Sequence, residues 1–366
     1  MYGIRKTLLT QQRNDYSEHL SQGSFELDCS LGSNPYGAWP GLALPQELLH
    51  HMALYPHASH RLAEAICRHY EDIAALTPGQ VLLTCGSIGA VLTLNRMVLV
   101  QGKCILGLAP QFSAVVDDFI TYDAAYSPVF LKQEDNYAFR LDAFLEAVRL
   151  RPNAYIYLDN PNNPTGQVIP LRQVEEIVAL AQALDSFVVM DEAYGDYVEP
   201  RESAVGLIEK YDNLAVVRTF SKGLGAAGIR LGYILAQPAI IGAAGKVNVP
   251  FSSNTVAEHV ATSLLTSGWA RQCGERIQQD KRRLIDSLTD IKVAETASCV
   301  PISMLYTASP DIDLCGVLEQ AGVRAITGVG YGGIGKNAVR LNLHEDVDRL
   351  IDCMGRAEKI LSSLQK

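Results

Sequence analysis

The 366 residues are enough for one large domain with a substantial core and a smaller one beside it. At 48% hydrophobic and 19% charged residues the composition is globular, which excludes a disordered chain, and a formal charge of −9 argues against a nucleic-acid partner. Eight scattered cysteines without a C-x-x-C pair read as reduced thiols, and the chain shows no signal-like start and no apolar run of membrane length, so a cytoplasmic protein with no membrane partner is expected.

Residues 1–25 are polar and without a period, as in an arm. Glu26–Leu31 alternates like a short strand and runs into Gly32-Ser33-Asn34-Pro35-Tyr36-Gly37, a loop signal in which Asn34 is a candidate ligand residue. Helical spacing covers 45–54 and 60–70. His50, His51, His57 and His60 straddle Pro56 without H-E-x-x-H geometry, so no metal is expected. Val81–Thr84 is a strand, broken at Cys85-Gly86-Ser87-Ile88-Gly89 and followed by a helical run. That order puts free backbone N–H groups at a helix N-terminus, where a phosphate can sit.

The alternation continues with a strand at 104–108 ending near Phe112, where a flat ligand could stack. A strand at 154–158, a helix at 170–184 and strands at 187–190 and 214–218 follow. Such repetition predicts a mostly parallel sheet flanked by helices, with ligands at the carboxyl ends of its strands. Three polar motifs fall at successive strand ends: Asn160-Pro161-Asn162-Asn163-Pro164-Thr165-Gly166, Asp191-Glu192-Ala193-Tyr194, and Thr219-Phe220-Ser221-Lys222. From about residue 255 shorter helices and strands suggest a smaller α+β domain, ending in a strand with Arg340 and a helix over 346–364. Gly330–Gly335 reads as a flexible turn, since it lacks the strand and long helix of a dinucleotide fingerprint.

The run from Arg218 to Arg230 places one lysine, Lys222, behind two hydroxyl residues and eight positions ahead of Arg230. A lysine forms an imine with an aldehyde only as a neutral amine, and hydroxyls with a guanidinium suit a phosphate monoester. An aldehyde and a phosphate on one small molecule describe pyridoxal 5′-phosphate.

With N-N-P-T-G, D-E-A-Y and T-F-S-K-x-x-G-x-x-G-x-R in this order, the chain resembles the pyridoxal-phosphate-dependent aminotransferases of fold type I, closest to their histidinol-phosphate branch. The resemblance runs from Asn34-Pro35 to Arg340 and implies an α/β large domain plus a smaller α+β domain. It implies a division into an N-terminal arm (1–40), a large cofactor-binding domain (41–255) and a small domain (256–366). It implies that Lys222 holds the cofactor and moves the substrate Cα proton, that Asp191 pairs with the pyridine nitrogen, and that Asn163 and Tyr194 bond its phenolic oxygen. Phe112 would stack on the ring, while Ser87, Ile88, Thr219, Ser221 and Arg230 would cradle the phosphate. Tyr55 matches the residue that reaches the neighbouring subunit's phosphate, which implies a homodimer. Arg340 matches the clamp of the substrate carboxylate or phosphate.

Three positions depart from the pattern. The turn Gly86–Gly89 lacks the usual acidic pair, and Gly32-Ser33-Asn34-Pro35 lacks the acid of N-E-N-P. The arginine that helps hold a substrate phosphate is replaced by Ile326, with Arg324 two residues earlier on the same strand face. The expected activity is transamination of a small α-amino acid or amino phosphate. The alternative is decarboxylation, elimination or cyclisation with the same cofactor, since the Cα bond that breaks is set by its orientation to the ring.

Overall fold

The computed structural model describes residues 3–11, 25–50, 53–56 and 60–364, so His51, His57 and most of the arm expected over 1–25 lie outside the described residues. The first strand, β1 (Leu27–Asp28), is shorter than the sequence suggests. It is followed by β2 (Val81–Thr84), β3 (Cys104–Ala109), β4 (Ala125–Phe130), β5 (Tyr155–Asp159), β6 (Phe187–Asp191), β7 (Leu214–Thr219) and β8 (Gly232–Ala236). The last seven form one sheet in the order β2-β8-β7-β6-β5-β3-β4. Pairing is parallel from β4 through β7, and β8 runs antiparallel to both β7 and β2.

Apolar runs become buried strands here because helices cover both faces of the sheet. Along β5 the side chains alternate: Ile156 and Leu158 join a core with Leu62, Ile66, Phe144 and Ile177, whereas Tyr155 and Tyr157 join one with Val91, Leu94, Val115 and Phe119. Two strands of this sheet escaped the sequence reading. β4 is a half-exposed edge strand carrying Pro128, and β8 follows the glycine-rich run ending at Arg230 with only Leu231 between them.

The remaining strands are β9 (Lys292–Val293), β10 (Ile302–Tyr306), β11 (Val323–Arg324), β12 (Ile326–Thr327) and β13 (Ala338–Asn342). Four of them form a second sheet in the order β12-β13-β10-β9, and β11 instead pairs in parallel with β1. The strand expected over 323–327 therefore breaks at Ala325, because its halves bond different partners. Leu27 and Cys29 share a core with Ile277, Ile302, Leu341 and Met354, so the chain around β1 packs with the C-terminal elements. Within this core Lys281, 1% exposed, has its amine 2.7 Å from Thr296 Oγ1 and 2.8–2.9 Å from the carbonyl oxygens of Ala297, Val300 and Ile302. The loop so fixed reaches the large sheet, where Ala297 N–H donates to the carbonyl of Gly166 at 2.9 Å.

Candidate active site

The parallel sheet brings the ends of β5, β6 and β7 side by side, with Asp159 opposite Asp191 and Asp191 opposite Val217. Lys222 lies in the loop after β7, half-buried, with its Nζ 5.3 Å from the centre of the Tyr194 ring. Beneath it Arg218 pairs with Glu192 at 2.8 Å and with Asp196, which ties the strand leading to Lys222 to the loop carrying Tyr194. A methyl group on Gly223 would stand 2.4 Å from Asp196 Cβ, so the residue after the lysine has to be glycine for the two loops to meet.

Asp191 is 5% exposed and accepts the Tyr157 hydroxyl at 2.7 Å and the Ala193 N–H at 3.1 Å. Burial lifts its carboxyl to about 7; the Tyr157 bond opposes this and the nearby Asp159 adds to it. Asp159, which the sequence reading passed over, accepts the backbone N–H groups of Phe112 at 3.3 Å and Asn163 at 3.0 Å. These two candidate residues thus come from different loops and meet on one carboxylate. Asn163 Oδ1 also accepts the hydroxyl of Tyr331 at 3.4 Å. Tyr331 is 3% exposed and belongs to the turn read as flexible, where only the glycines drew attention.

The turn between β2 and the helix Gly86–Val98 is built for close approach. Gly86 has φ +70, and a Cβ there would meet Arg230 Nη2 at 2.9 Å. A Cβ on Gly232 would stand 2.7 Å from the Ser87 nitrogen. Arg230 itself adopts the left-handed conformation, φ 51, and donates to the Ala227 carbonyl at 2.9 Å. The Thr219 and Ser221 hydroxyls are 3.0 Å apart and both residues are buried. No side chain caps the helix start, so Ser87 and Ile88, its second and third residues, present amides without a competing acceptor.

On the other side, Asn34 donates to the Gly223 carbonyl at 2.9 Å and accepts the Tyr36 N–H at 2.9 Å, so its amide ties the segment after β1 to the Lys222 loop. Arg340, in β13, is 6% exposed and donates to the Ser30 carbonyl. Its cross-strand neighbour on β12 is Ile326. Arg324 is directed to β1, 3.5 Å from Asp28 Oδ2 and over the Phe25 ring. Tyr55 is 75% exposed, with its ring 4.7 Å from that of Phe251.

These residues fit pyridoxal phosphate. A buried carboxylate raised to about 7 favours a protonated ring nitrogen as partner, and Gly86 and Gly232 let the turn carrying the Ser87 and Ile88 amides come close to Arg230, a donor set suited to a phosphate.

A family model, Aminotransferase class I and II, matches residues 45–353. Similar curated proteins include the histidinol-phosphate aminotransferase of Haloferax volcanii, 33% identical over 257 residues that make up 66% of this chain and 68% of the relative. The corresponding protein of Chlorobaculum tepidum is 30% identical over 288 residues, 78% of this chain and 81% of the relative. Among solved structures, histidinol-phosphate aminotransferase from Sinorhizobium meliloti in complex with pyridoxal-5′-phosphate superposes with a TM-score of 0.81 at 19% identity, covering 100% of this chain and 99% of that one. Aspartate aminotransferase from Thermus thermophilus with maleate gives 0.80 at 19% identity, covering 98% and 100%. No helix among the described residues is long and apolar enough to cross a membrane. The chain belongs to the class I and II aminotransferases and is a pyridoxal 5′-phosphate-dependent transaminase of fold type I.

Proposed function

We propose that this transaminase acts on a small α-amino acid or amino phosphate through Lys222, with Arg340 holding the substrate's anionic group. The observation that carries this reading is the position of Lys222 one strand from Asp191 and against the Tyr194 ring. Pyridoxal phosphate, when bound, supplies a reactive carbonyl and an electron-accepting ring. Lys222 would hold the cofactor, and its amine, set free when the substrate amine takes its place, would take and return the proton at the substrate Cα. Asp191, steadied by Tyr157, holds a proton at the ring nitrogen. Asn163 and Tyr194 donate to the ring oxygen, and Phe112 covers one face and excludes water. The amides of Ser87 and Ile88, with Thr219, Ser221 and Arg230, hold the phosphate.

Arg340 offers a planar fork suited to a carboxylate or phosphate. With Arg324 directed to Asp28 and Ile326 beside Arg340, Arg340 does most of the anion binding. Asn34 serves the same pocket indirectly, by tying the segment after β1 to the Lys222 loop at the Gly223 carbonyl.

The division into an arm (1–40), a large domain (41–255) and a small domain (256–366) belongs to this reading and is supported by the two sheets, while the helix Thr255–Leu265 packs with the core of the large sheet through Ala257, Val260, Ala261 and Leu264. So does a homodimer. Leu54, Tyr55, Val249 and Phe251 are each more than half exposed and form an apolar surface suited to a second copy, which would carry Tyr55 to the partner's phosphate. The eight cysteines are free thiols, which supports a cytoplasmic location.

A single-turnover screen tests the substrate class. The holoenzyme is mixed with amino acids and amino phosphates while cofactor absorbance is followed and products are analysed by mass. Pyridoxamine phosphate with a keto product from such a donor is the expected result. Loss of CO2, water or a side-chain group instead would make the chain a lyase on the same scaffold.

A further inference from the structure

Asp159 closes β5 with 4% of its surface exposed. Its Oδ1 accepts from Gln111 Nε2 at 3.3 Å and Asn162 Nδ2 at 3.0 Å, and its Oδ2 accepts the backbone N–H groups of Phe112 and Asn163. Both side-chain amides are held in this orientation by other bonds. Gln111 Nε2 also donates to the Tyr157 carbonyl, and its Oε1 accepts the Tyr126 hydroxyl. Asn162 Oδ1 accepts the Thr165 hydroxyl and N–H, and its Nδ2 also donates to the Pro110 carbonyl. Asp159 thus faces four N–H donors. Only an ionised carboxylate accepts from all four; a carboxylic acid, or an asparagine, would turn a donor toward another donor.

Four donors explain why a charge is tolerated there, but not why one is placed there. Two features of position do. The donors belong to two loops, one following β3 and presenting Phe112, the other following β5 and presenting Asn163. In addition, Asp159 is the register partner of Asp191 on the adjacent parallel strand, a spacing of about 5 Å between strands. The titratable groups facing this pair are Tyr157 from β5, bonded to Asp191, Tyr126 from β4, bonded to Gln111, and Glu192 next to Asp191. Burial lifts the Asp159 carboxyl to about 6 against the pull of its donors, which leaves it ionised at neutral pH.

We propose that Asp159 is a positioning residue of the cofactor site: its carboxylate holds the Phe112 and Asn163 loops in register, and its charge strengthens the hold of Asp191 on the proton at the cofactor's ring nitrogen. The proposal rests on the reading that Phe112, Asn163 and Asp191 contact the cofactor. It gives the last residue of β5 a function that is electrostatic as well as geometric.

The test loads wild type, Asp159→Asn and Asp159→Ser with pyridoxal phosphate labelled with 15N in the ring. The ring-nitrogen resonance is followed against pH, and the cofactor dissociation constant is measured by equilibrium dialysis. In both variants the midpoint for loss of the ring proton falls by about one pH unit or more, and the dissociation constant rises about tenfold or more. Asp159→Ser keeps a small acceptor and guards against a folding failure of Asp159→Asn. A midpoint equal to that of wild type overturns the proposal, even if affinity falls, because a packing defect alone does that. Asp191→Asn is the control for the parent reading: if it keeps the wild-type midpoint, Asp191 is not the ring partner and that reading fails instead.

Discussion

The carbonyl of Gly32 accepts the Tyr194 hydroxyl at 3.2 Å, and a methyl group placed on Gly32 would stand 2.2 Å from that hydroxyl oxygen and 3.3 Å from Lys222 Nζ. The segment leaving β1 therefore packs closely against Tyr194 and Lys222 at once, and only a residue without a side chain permits it. Its other ties run from Asn34 to Gly223 and from Asn342 to the Ser33 carbonyl.

Gly32→Ala tests this contact. The substitution displaces Tyr194 or this segment while the other ties remain. The expected loss in kcat/KM is about 10- to 100-fold, the cost of misplacing a reacting group by about an ångström. The melting temperature changes by only a few degrees. Steady-state kinetics with calorimetry on the same preparation checks both.

Asp191 makes a pH-dependent prediction for the apo-protein. Its carboxyl is raised in the folded chain to about 7, so the folded state holds the proton more tightly than the unfolded one. The associated stability is present at low pH and is lost as pH rises from about 4 toward 7. Urea unfolding of apo wild type should therefore lose about 2 kcal/mol, relative to Asp191→Asn, between pH 5.5 and pH 8. A constant difference between the two proteins across that range would contradict the assignment.

Lys281 tests how the C-terminal core supports the site. Lys281→Met leaves four acceptors around the amine position without their donor, three of them backbone carbonyls and two of these, of Val300 and Ile302, in buried bonds. The expected loss of stability is about 2–4 kcal/mol. Because Ala297 bonds Gly166, amide exchange should quicken over 296–302 and at the Asn162–Gly166 turn together. Hydrogen exchange read by mass shows whether the two segments move as one.

Arg340→Lys keeps a positive charge but removes the planar fork and its reach to the Ser30 carbonyl. The KM for the amino donor should rise about tenfold or more, with cofactor affinity unchanged. An unaltered KM would place the substrate's anion elsewhere.

Much of this site was legible in the sequence because a parallel sheet converts sequence order into spatial order. Asn163, Asp191 and Lys222 each follow a buried apolar run, and the strand-end rule puts them together without further information. What stayed hidden depends on pairing between distant segments. Asp159 looked like the last residue of a strand, and its value comes from Phe112 and Gln111 on another loop. Tyr331 stood among glycines that read as a flexible turn, yet its hydroxyl reaches Asn163. The split of 323–327 at Ala325 could not be read either, since it depends on β11 pairing with β1, almost the whole chain away. Loop composition makes Asn34 only a candidate ligand residue; its partner, the carbonyl of Gly223, is a backbone atom that carries no signature.

We propose that Lys222 binds the cofactor covalently and moves the substrate Cα proton. Borohydride reduction of the holoenzyme, followed by proteolysis and peptide mass analysis, tests it directly. The account predicts one phosphopyridoxyl group, on the peptide containing Lys222, and none in Lys222→Ala, which also loses turnover while still binding the cofactor loosely. A label on another lysine, or turnover that persists in Lys222→Ala, would contradict it.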